Sequence, residues 1–148
     1  MASPRCFWRV EDENSQARTR NSEIRAAGVG GDFRHMSPQL RECLERHLDW
    51  ADRTPSPFIS AYCDEDAANR EVNRRLDRGK RHVTITKIDV TDLDYGTVEF
   101  RNLRRLAANL GLWIQELAWN NSEHEYIFLH HIPSKAIEDV IDFPRVQQ

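Results

Sequence analysis

Apolar residues recur along this chain in short runs, some with the two-residue period of strands and others with the wider period of helices. In the third strand-like run the alternation slips near Lys87, which predicts a β-bulge. The fourth run ends at Ile132-Pro133, and the fifth is either a helical turn leading into a strand or the strand itself. The predicted strands cover residues 6–10, 58–62, 82–90, 123–132 and 136–141.

Three helices are predicted between these strands. Ser37-Pro38 places a capping hydroxyl before a proline at the first helical position, and the apolar stripe that follows includes His47. Acidic residues at 64–66 open a second helix that ends at Gly79, and its arginines are predicted to form a solvated face. Leucines at helical spacing before Gly111 predict the third helix.

The order of these elements predicts an α+β domain with a mostly antiparallel sheet. A length of 148 residues predicts one domain spanning residues 1–148. The polar segment 11–19 offers nothing obvious to bury, and Gly28, Gly30 and Gly31 indicate a flexible loop. The composition, 39% hydrophobic and 30% charged, is that of a folded protein.

Charge and composition exclude several classes of function. A net charge of −3 argues against a broad nucleic-acid interface, and no apolar run approaches the roughly 20 residues of a membrane span. No secretory signal is visible, so a cytoplasmic location is the default expectation; export by another route, or origin as a fragment of a longer chain, stays open. Three scattered cysteines are expected to be reduced thiols. The histidines near residue 130 lack the helical spacing of a zinc motif, so no metal is expected.

Glu123 and Glu125 are the most suggestive candidates for chemistry. They lie two residues apart on the predicted fourth strand, and a strand repeats every two residues. Both carboxylates are therefore predicted to point from one face into whatever cleft that face lines. Without further residues to act with them, they are equally consistent with a solvated surface.

The order of three motifs resembles the Arg-Ser-Glu class of mono-ADP-ribosyltransferases, the class of the cholera toxin and heat-labile enterotoxin catalytic chains. The motifs are an Arg in an aromatic first strand, a strand ending in Ser before an Ala-containing helix, and Glu-x-Glu ahead of an apolar strand and Ile-Pro. The first two also resemble uncharacterised fungal domains with no assigned activity. The segments concerned are Phe7-Trp8-Arg9-Val10, Pro57-Phe58-Ile59-Ser60 and Glu123-His124-Glu125.

This resemblance implies an ADP-ribosyltransferase-like fold, with two packed, mostly antiparallel sheets around an NAD cleft and flanking helices. It assigns Glu125 as the catalytic glutamate, Ser60 as the residue that orients it, and Arg9 as the residue that holds the NAD phosphates. His47 matches, at looser spacing, a histidine that contacts the adenosine ribose. Glu123 would activate an acceptor arginine on a partner protein.

Elementary chemistry is consistent with these roles. Cleavage of the nicotinamide–ribose bond builds positive charge on the ribose, which a fixed carboxylate stabilises. The forked guanidinium of Arg9 suits a pyrophosphate, and Trp119 offers a flat surface for a guanidinium. The predicted function is therefore a toxin-like mono-ADP-ribosyltransferase that uses NAD as substrate.

Two alternatives stay open. In an NAD glycohydrolase, water would take the ribosyl group and Glu123 would be incidental. In a catalytically silent domain, the same cleft would bind a protein partner. The segment Ser60-Ala61-Tyr62 motivates the second alternative, because the toxins have Ser-Thr-Ser there.

Overall fold

The computed structural model describes residues 3–34, 37–49, 51–115 and 121–143. Within these ranges it is an α+β protein whose strand pairings are antiparallel. A six-stranded sheet has the order β6-β7-β4-β1-β5-β9, and a three-stranded sheet has the order β2-β3-β8. The strands are β1 (Cys6–Glu11), β2 (Arg18–Arg20), β3 (Glu23–Arg25), β4 (Phe58–Tyr62), β5 (Val83–Asp89), β6 (Phe100–Asn102), β7 (Glu125–Leu129), β8 (His131–Ile132) and β9 (Ile137–Phe143).

Three α-helices lie in the described residues: α1 (Pro38–Leu48), α2 (Glu65–Asp77) and α3 (Leu103–Asn109). Each begins at a side chain that accepts a backbone N–H of the first turn, as helix N-termini require. The caps are Ser37, Asp64 and Asn102. The predicted positions of all three helices are confirmed.

The two faces of the six-stranded sheet are covered differently. One face packs with the small sheet around Phe7, Ile59 and Phe128, all fully buried. The other face is covered by helices in two separate clusters. The helices α1 and α3 lie over Phe58 and Ile127, whereas α2 lies over residues that include Val10 and Tyr62. The helix-covered face therefore has a gap between its two clusters.

Several strand predictions are confirmed. The β-bulge expected near Lys87 occurs between Lys87 and Ile88, where β5 shifts its register against β9. The fifth run is a 3₁₀ turn (Ser134–Ala136) that leads into β9. The strands β1 and β4 start at the predicted residues.

The prediction that Glu123 and Glu125 share a strand is wrong. The strand β7 begins at Glu125, and Glu123 lies in the preceding turn. The same apolar run is also divided at its other end by His130, whose positive φ of 66° breaks the strand. Ile132 consequently belongs to β8 and pairs with Ile24 in the small sheet.

The prediction that the segment 11–19 has nothing to bury is wrong too. Ala17 and Asp12 are buried, and the chain continues into the hairpin of β2 and β3. Asn21 and Ser22 both have positive φ, which matches the right-handed twist of a two-residue hairpin turn. The hairpin has few apolar residues, and Ile24 is the only residue of its two strands that is fully buried.

Candidate functional site

The gap in the helix layer contains a cavity of about 310 Å³. Its floor is the sheet, where Ser60 of β4 lies between the two apolar residues Phe58 and Tyr62 on the same strand face. Glu125 starts the neighbouring strand and pairs directly with Tyr62. Its walls come from the helices, with His47 on α1 and Glu71, Arg74 and Arg75 on α2.

Ser60 and His47 are hydrogen-bonded across this cavity. The Ser60 Oγ lies 2.9 Å from His47 Nε2. The other ring nitrogen, Nδ1, lies 2.7 Å from the Oγ of Ser56. Both nitrogens of the imidazole are therefore engaged by serine hydroxyls, and the ring is fixed in place.

His47 is held neutral at physiological pH. Burial lowers its pKa from 6.5 to about 4, and the positive charge of Arg9 lowers it further in the same direction. A neutral imidazole has one N–H donor and one acceptor nitrogen. The ring can thus donate to one serine and accept from the other.

Glu125 is a half-buried carboxyl group with an unusual proton affinity. Burial raises its pKa from 4.5 to about 7; a hydrogen bond from Ser60 opposes the rise, and the nearby carboxylate of Glu71 adds to it. The arginines Arg75 and Arg74 lower it. The group therefore changes its charge near neutral pH, which is typical of residues that take part in chemistry.

Tyr62 brings a second hydroxyl-bearing side chain to the cavity, two residues after Ser60. Burial raises its pKa well above 10, and the charge of Glu125 contributes. The phenol therefore keeps its proton. Ala61, between them, is fully buried in the core on the opposite face. Compared with Ser-Thr-Ser, the last serine is thus replaced by Tyr62, a larger side chain that also carries a hydroxyl. The threonine is replaced by Ala61, whose methyl group packs in the core.

Arg9 lies beneath this cavity and organises the backbone around it. Its Nη1 donates to the carbonyl of Ser60 at 2.8 Å, and its Nη2 donates to the carbonyl of Ala17 at 2.9 Å. Its Nε donates to Glu11 at 3.1 Å. Arg9 is 5% exposed, so it ties β1, β4 and the 12–17 loop together from a buried position.

Charged residues of α2 also line the site. Two of the four arginines predicted to form a solvated face, Arg74 and Arg75, instead pair with an acid at the sheet, whereas the other two are exposed as predicted. Glu71 is buried and accepts hydrogen bonds from both Arg74 and Arg75. The Nη1 of Arg75 also donates a hydrogen bond to the Oδ2 of Asp12 at 3.1 Å. The arginines turn toward the sheet because Glu71, which is 4% exposed, needs cationic partners there.

A second cleft of about 330 Å³ adjoins the cavity and shares His47, Ser60, Glu71 and the two arginines with it. Its lining includes seven basic side chains and four acidic ones. The basic residues are Arg9, Arg46, Arg53, Arg74, Arg75, Arg78 and Lys80, and the acidic ones are Asp12, Asp49, Asp52 and Glu71. Arg9 and Arg46 are paired with Glu11 and Glu42, which lie outside this lining, so the cleft has a small excess of positive charge, which favours an anionic ligand.

Glu123 does not line the cavity with Glu125. Its side chain is 57% exposed and lies 3.2 Å from the imidazole of His124. Its backbone carbonyl accepts a hydrogen bond from Asn102. Trp119, the other residue predicted to contact an acceptor, lies outside the described residues.

The structure thus brings Ser60, His47 and Glu125 together, with Arg9 beneath them and Glu123 outside. Sequence reasoning missed Ser56, Glu71 and Glu11 as parts of the site. Glu11 had a signal, since it lies two residues after Arg9 and on the same strand face. Ser56 and Glu71 had none, because their partners are distant in sequence.

A family model described as a domain of unknown function (DUF7587) matches residues 2–146. The chain therefore belongs to this domain family. No curated protein matches the sequence. In the part of the chain that the structure describes, no helix is long and apolar enough to cross a membrane. No group of three or more metal-ligating side chains occurs among those same residues.

Proposed function

We propose that this domain has an ADP-ribosyltransferase-like fold and acts as a mono-ADP-ribosyltransferase. It would cleave NAD at the nicotinamide–ribose bond and transfer ADP-ribose to an acceptor, a protein arginine side chain. The observation that carries this proposal is the meeting of Glu125, Ser60 and His47 on one cavity. Along the chain, Arg9, Ser60 and Glu125 also follow one another in the order of the Arg-Ser-Glu motifs.

The chemistry of Glu125 suits stabilisation of a ribosyl cation. Departure of nicotinamide leaves positive charge on the ribose, and a preorganised carboxylate lowers the energy of that state. Ser60 limits the rotation of the carboxylate by a hydrogen bond. Because the pKa of Glu125 is about 7, NAD turnover is expected to rise from pH 6 to pH 8 as the carboxylate ionises.

The adjoining cleft suits the rest of the NAD molecule. A pyrophosphate carries two negative charges, and the basic lining of the cleft lies directly beside His47 and Ser60. Arg9 has three of its five N–H groups in hydrogen bonds to the protein. We therefore assign Arg9 first to positioning Ser60, and the exposed basic residues of the cleft to the phosphates.

The position of Glu123 favours one alternative, an NAD glycohydrolase. The acid that would activate an arginine acceptor lies in an exposed turn rather than beside Glu125. Water can reach the ribosyl carbon without it. Glu123→Gln separates the two functions: it should reduce transfer to arginine far more than hydrolysis in a transferase, and should change neither rate in a glycohydrolase.

The test is incubation of the protein with NAD labelled in the adenylate part, with and without a small guanidino compound as acceptor. A transferase yields labelled acceptor, and a glycohydrolase yields only free ADP-ribose. Glu125→Gln should abolish both products. Glu138→Gln is the matched control, because Glu138 is exposed on the edge strand β9, which is separated from β4 by the two strands β1 and β5. Absence of any NAD cleavage by the wild-type protein would refute the proposal and favour a silent, partner-binding domain.

A further inference from the structure

Ser56 holds a special position on the side of His47 that faces away from Ser60. Its Oγ lies 2.7 Å from His47 Nδ1 and accepts the backbone N–H of Phe58 at 3.1 Å. The N–H of Phe58 occupies one lone pair of that oxygen, and the hydroxyl hydrogen of Ser56 can point at Nδ1. A neutral imidazole that accepts at Nδ1 must carry its proton on Nε2.

With the proton of His47 on Nε2, the direction of the Ser60 hydroxyl follows. A proton on His47 Nε2 is donated to Ser60 Oγ across 2.9 Å. Ser60 then has its single hydrogen left for another acceptor, and Glu125 lines the same cavity as its diagonal neighbour across the strand pair. A hydrogen bond from Ser60 favours the carboxylate form of Glu125 and lowers its pKa. In this tautomer all four donors run in one direction, from Phe58 N–H through Ser56 and His47 to Ser60 and Glu125.

Backbone contacts hold Ser56 in this position from both sides. Its N–H donates to the side-chain oxygen of Gln16 at 3.0 Å, and its carbonyl accepts from the N–H of Gly28 at 2.8 Å. Gly28 has to be glycine here. A Cβ at that position would lie 2.8 Å from the carbonyl carbon of Pro55 and 2.9 Å from that of Ser56.

We propose that Ser56 is a positioning residue, which sets the tautomer of His47 so that the hydroxyl hydrogen of Ser60 is directed at Glu125. The catalytic consequence rests on the proposed function, whereas the tautomer does not. Without Ser56, the imidazole can place its proton on either nitrogen. In the wrong tautomer, Ser60 donates to His47 and leaves the Glu125 carboxylate without its orienting hydrogen bond.

The tautomer is measured directly by NMR of protein labelled with ¹⁵N-histidine, in which two-bond couplings show which ring nitrogen carries the proton. His47→Gln assigns the signal among the six histidines. We expect the wild-type protein to carry the proton on Nε2 alone. Ser56→Ala should give a mixture of tautomers, and Ser56→Thr, which keeps the hydroxyl, should restore the single one. Ser134→Ala, at an exposed serine in the 3₁₀ turn, is the control.

Kinetics supply the second measurement. Loss of one hydrogen bond is worth about 1 kcal/mol, so Ser56→Ala should lower kcat for NAD cleavage about fivefold with little change in KM. Ser56→Thr should recover most of the rate.

Three results are decisive. A wild-type His47 protonated on Nδ1 would overturn the proposal, and this holds even if Ser56→Ala fails to fold. A Ser56→Ala protein that keeps the single Nε2 tautomer would overturn it as well. The expected tautomers in a wild-type protein that does not cleave NAD would support the positioning role and refute the proposed function.

Discussion

Replacing Glu125 by Gln should stabilise the protein at alkaline pH. The native state raises the pKa of this carboxyl group from 4.5 to about 7, mainly through burial. Between these two pH values the native protein keeps a proton that the unfolded chain has lost, so stability falls as the pH rises. Above pH 7 both states are ionised, and the full cost of the buried charge is present. Gln cannot ionise and avoids that cost.

The magnitude follows from the same two values. Each tenfold change in proton affinity is worth about 1.4 kcal/mol, so a rise from 4.5 to about 7 corresponds to about 3 kcal/mol. We therefore expect the Glu125→Gln variant to gain stability over the wild-type protein by up to about 3 kcal/mol more at pH 8 than at pH 4.5. A gain at the cost of activity is typical of catalytic positions.

Urea unfolding of both proteins at a series of pH values measures this difference, and effects of other titrating groups cancel in it. Glu138→Gln serves as the control, because changes at exposed surface positions usually stay within about 0.5 kcal/mol. A stability difference between Glu125→Gln and wild type that does not vary with pH would refute the assigned pKa. It would also remove the reason to expect NAD turnover to rise across neutrality.

Three further predictions concern residues around the cavity. Arg9→Ala should lower the free energy of unfolding by about 3–5 kcal/mol, since it leaves Glu11 buried without its cation, and a melt close to wild type would contradict this. Between pH 6.5 and pH 4 the unfolded chain binds a proton that the native His47 does not, so the free energy of unfolding of the wild-type protein should fall by about 3 kcal/mol over this range. His47→Gln should remove this loss. Urea unfolding that shows equal acid sensitivity in the two proteins would argue against it. Gly28→Ala should lower the free energy of unfolding by about 1–3 kcal/mol, because its Cβ would press against the backbone of Pro55; urea unfolding measures this loss, and a stability equal to wild type would contradict the prediction.

Local patterns predicted much of the fold because each element carries its own signals. The cap at Ser37 and the proline after it start α1 where expected, and the slip in alternation at Lys87 marks the bulge. These features depend on residues next to one another in sequence. The hairpin of β2 and β3 has no such signal: apart from Ile24 its strands are polar, and its position depends on pairing with β8, more than 100 residues later.

The site was predicted less completely, for a related reason. Ser60 and Glu125 stood in recognisable motifs, but the boundary of β7 depends on tertiary contacts. The turn before it is held by hydrogen bonds between His124 and Cys63 and between Glu123 and Asn102. Alternation alone extends the strand through these residues. Glu123 was consequently placed on a strand face that does not exist at that position.

Even without any family resemblance, the helix-covered face of the sheet indicates where a candidate site lies. Along β4 this face presents Phe58, Ser60 and Tyr62, and along β7 it presents Glu125, Ile127 and Leu129. On this face each strand thus has one polar residue in an otherwise apolar row. These two residues, Ser60 and Glu125, are diagonal neighbours across the strand pair. An apolar residue in place of Glu125 would avoid the cost of a buried carboxyl group, whereas an apolar residue in place of Ser60 would leave the Nε2 of His47 without its hydrogen-bond partner. Proteins keep such costly polar positions at functional sites. The cost of the carboxyl group at Glu125 is therefore what we expect of the role that we propose for this residue, with Ser60 beside it.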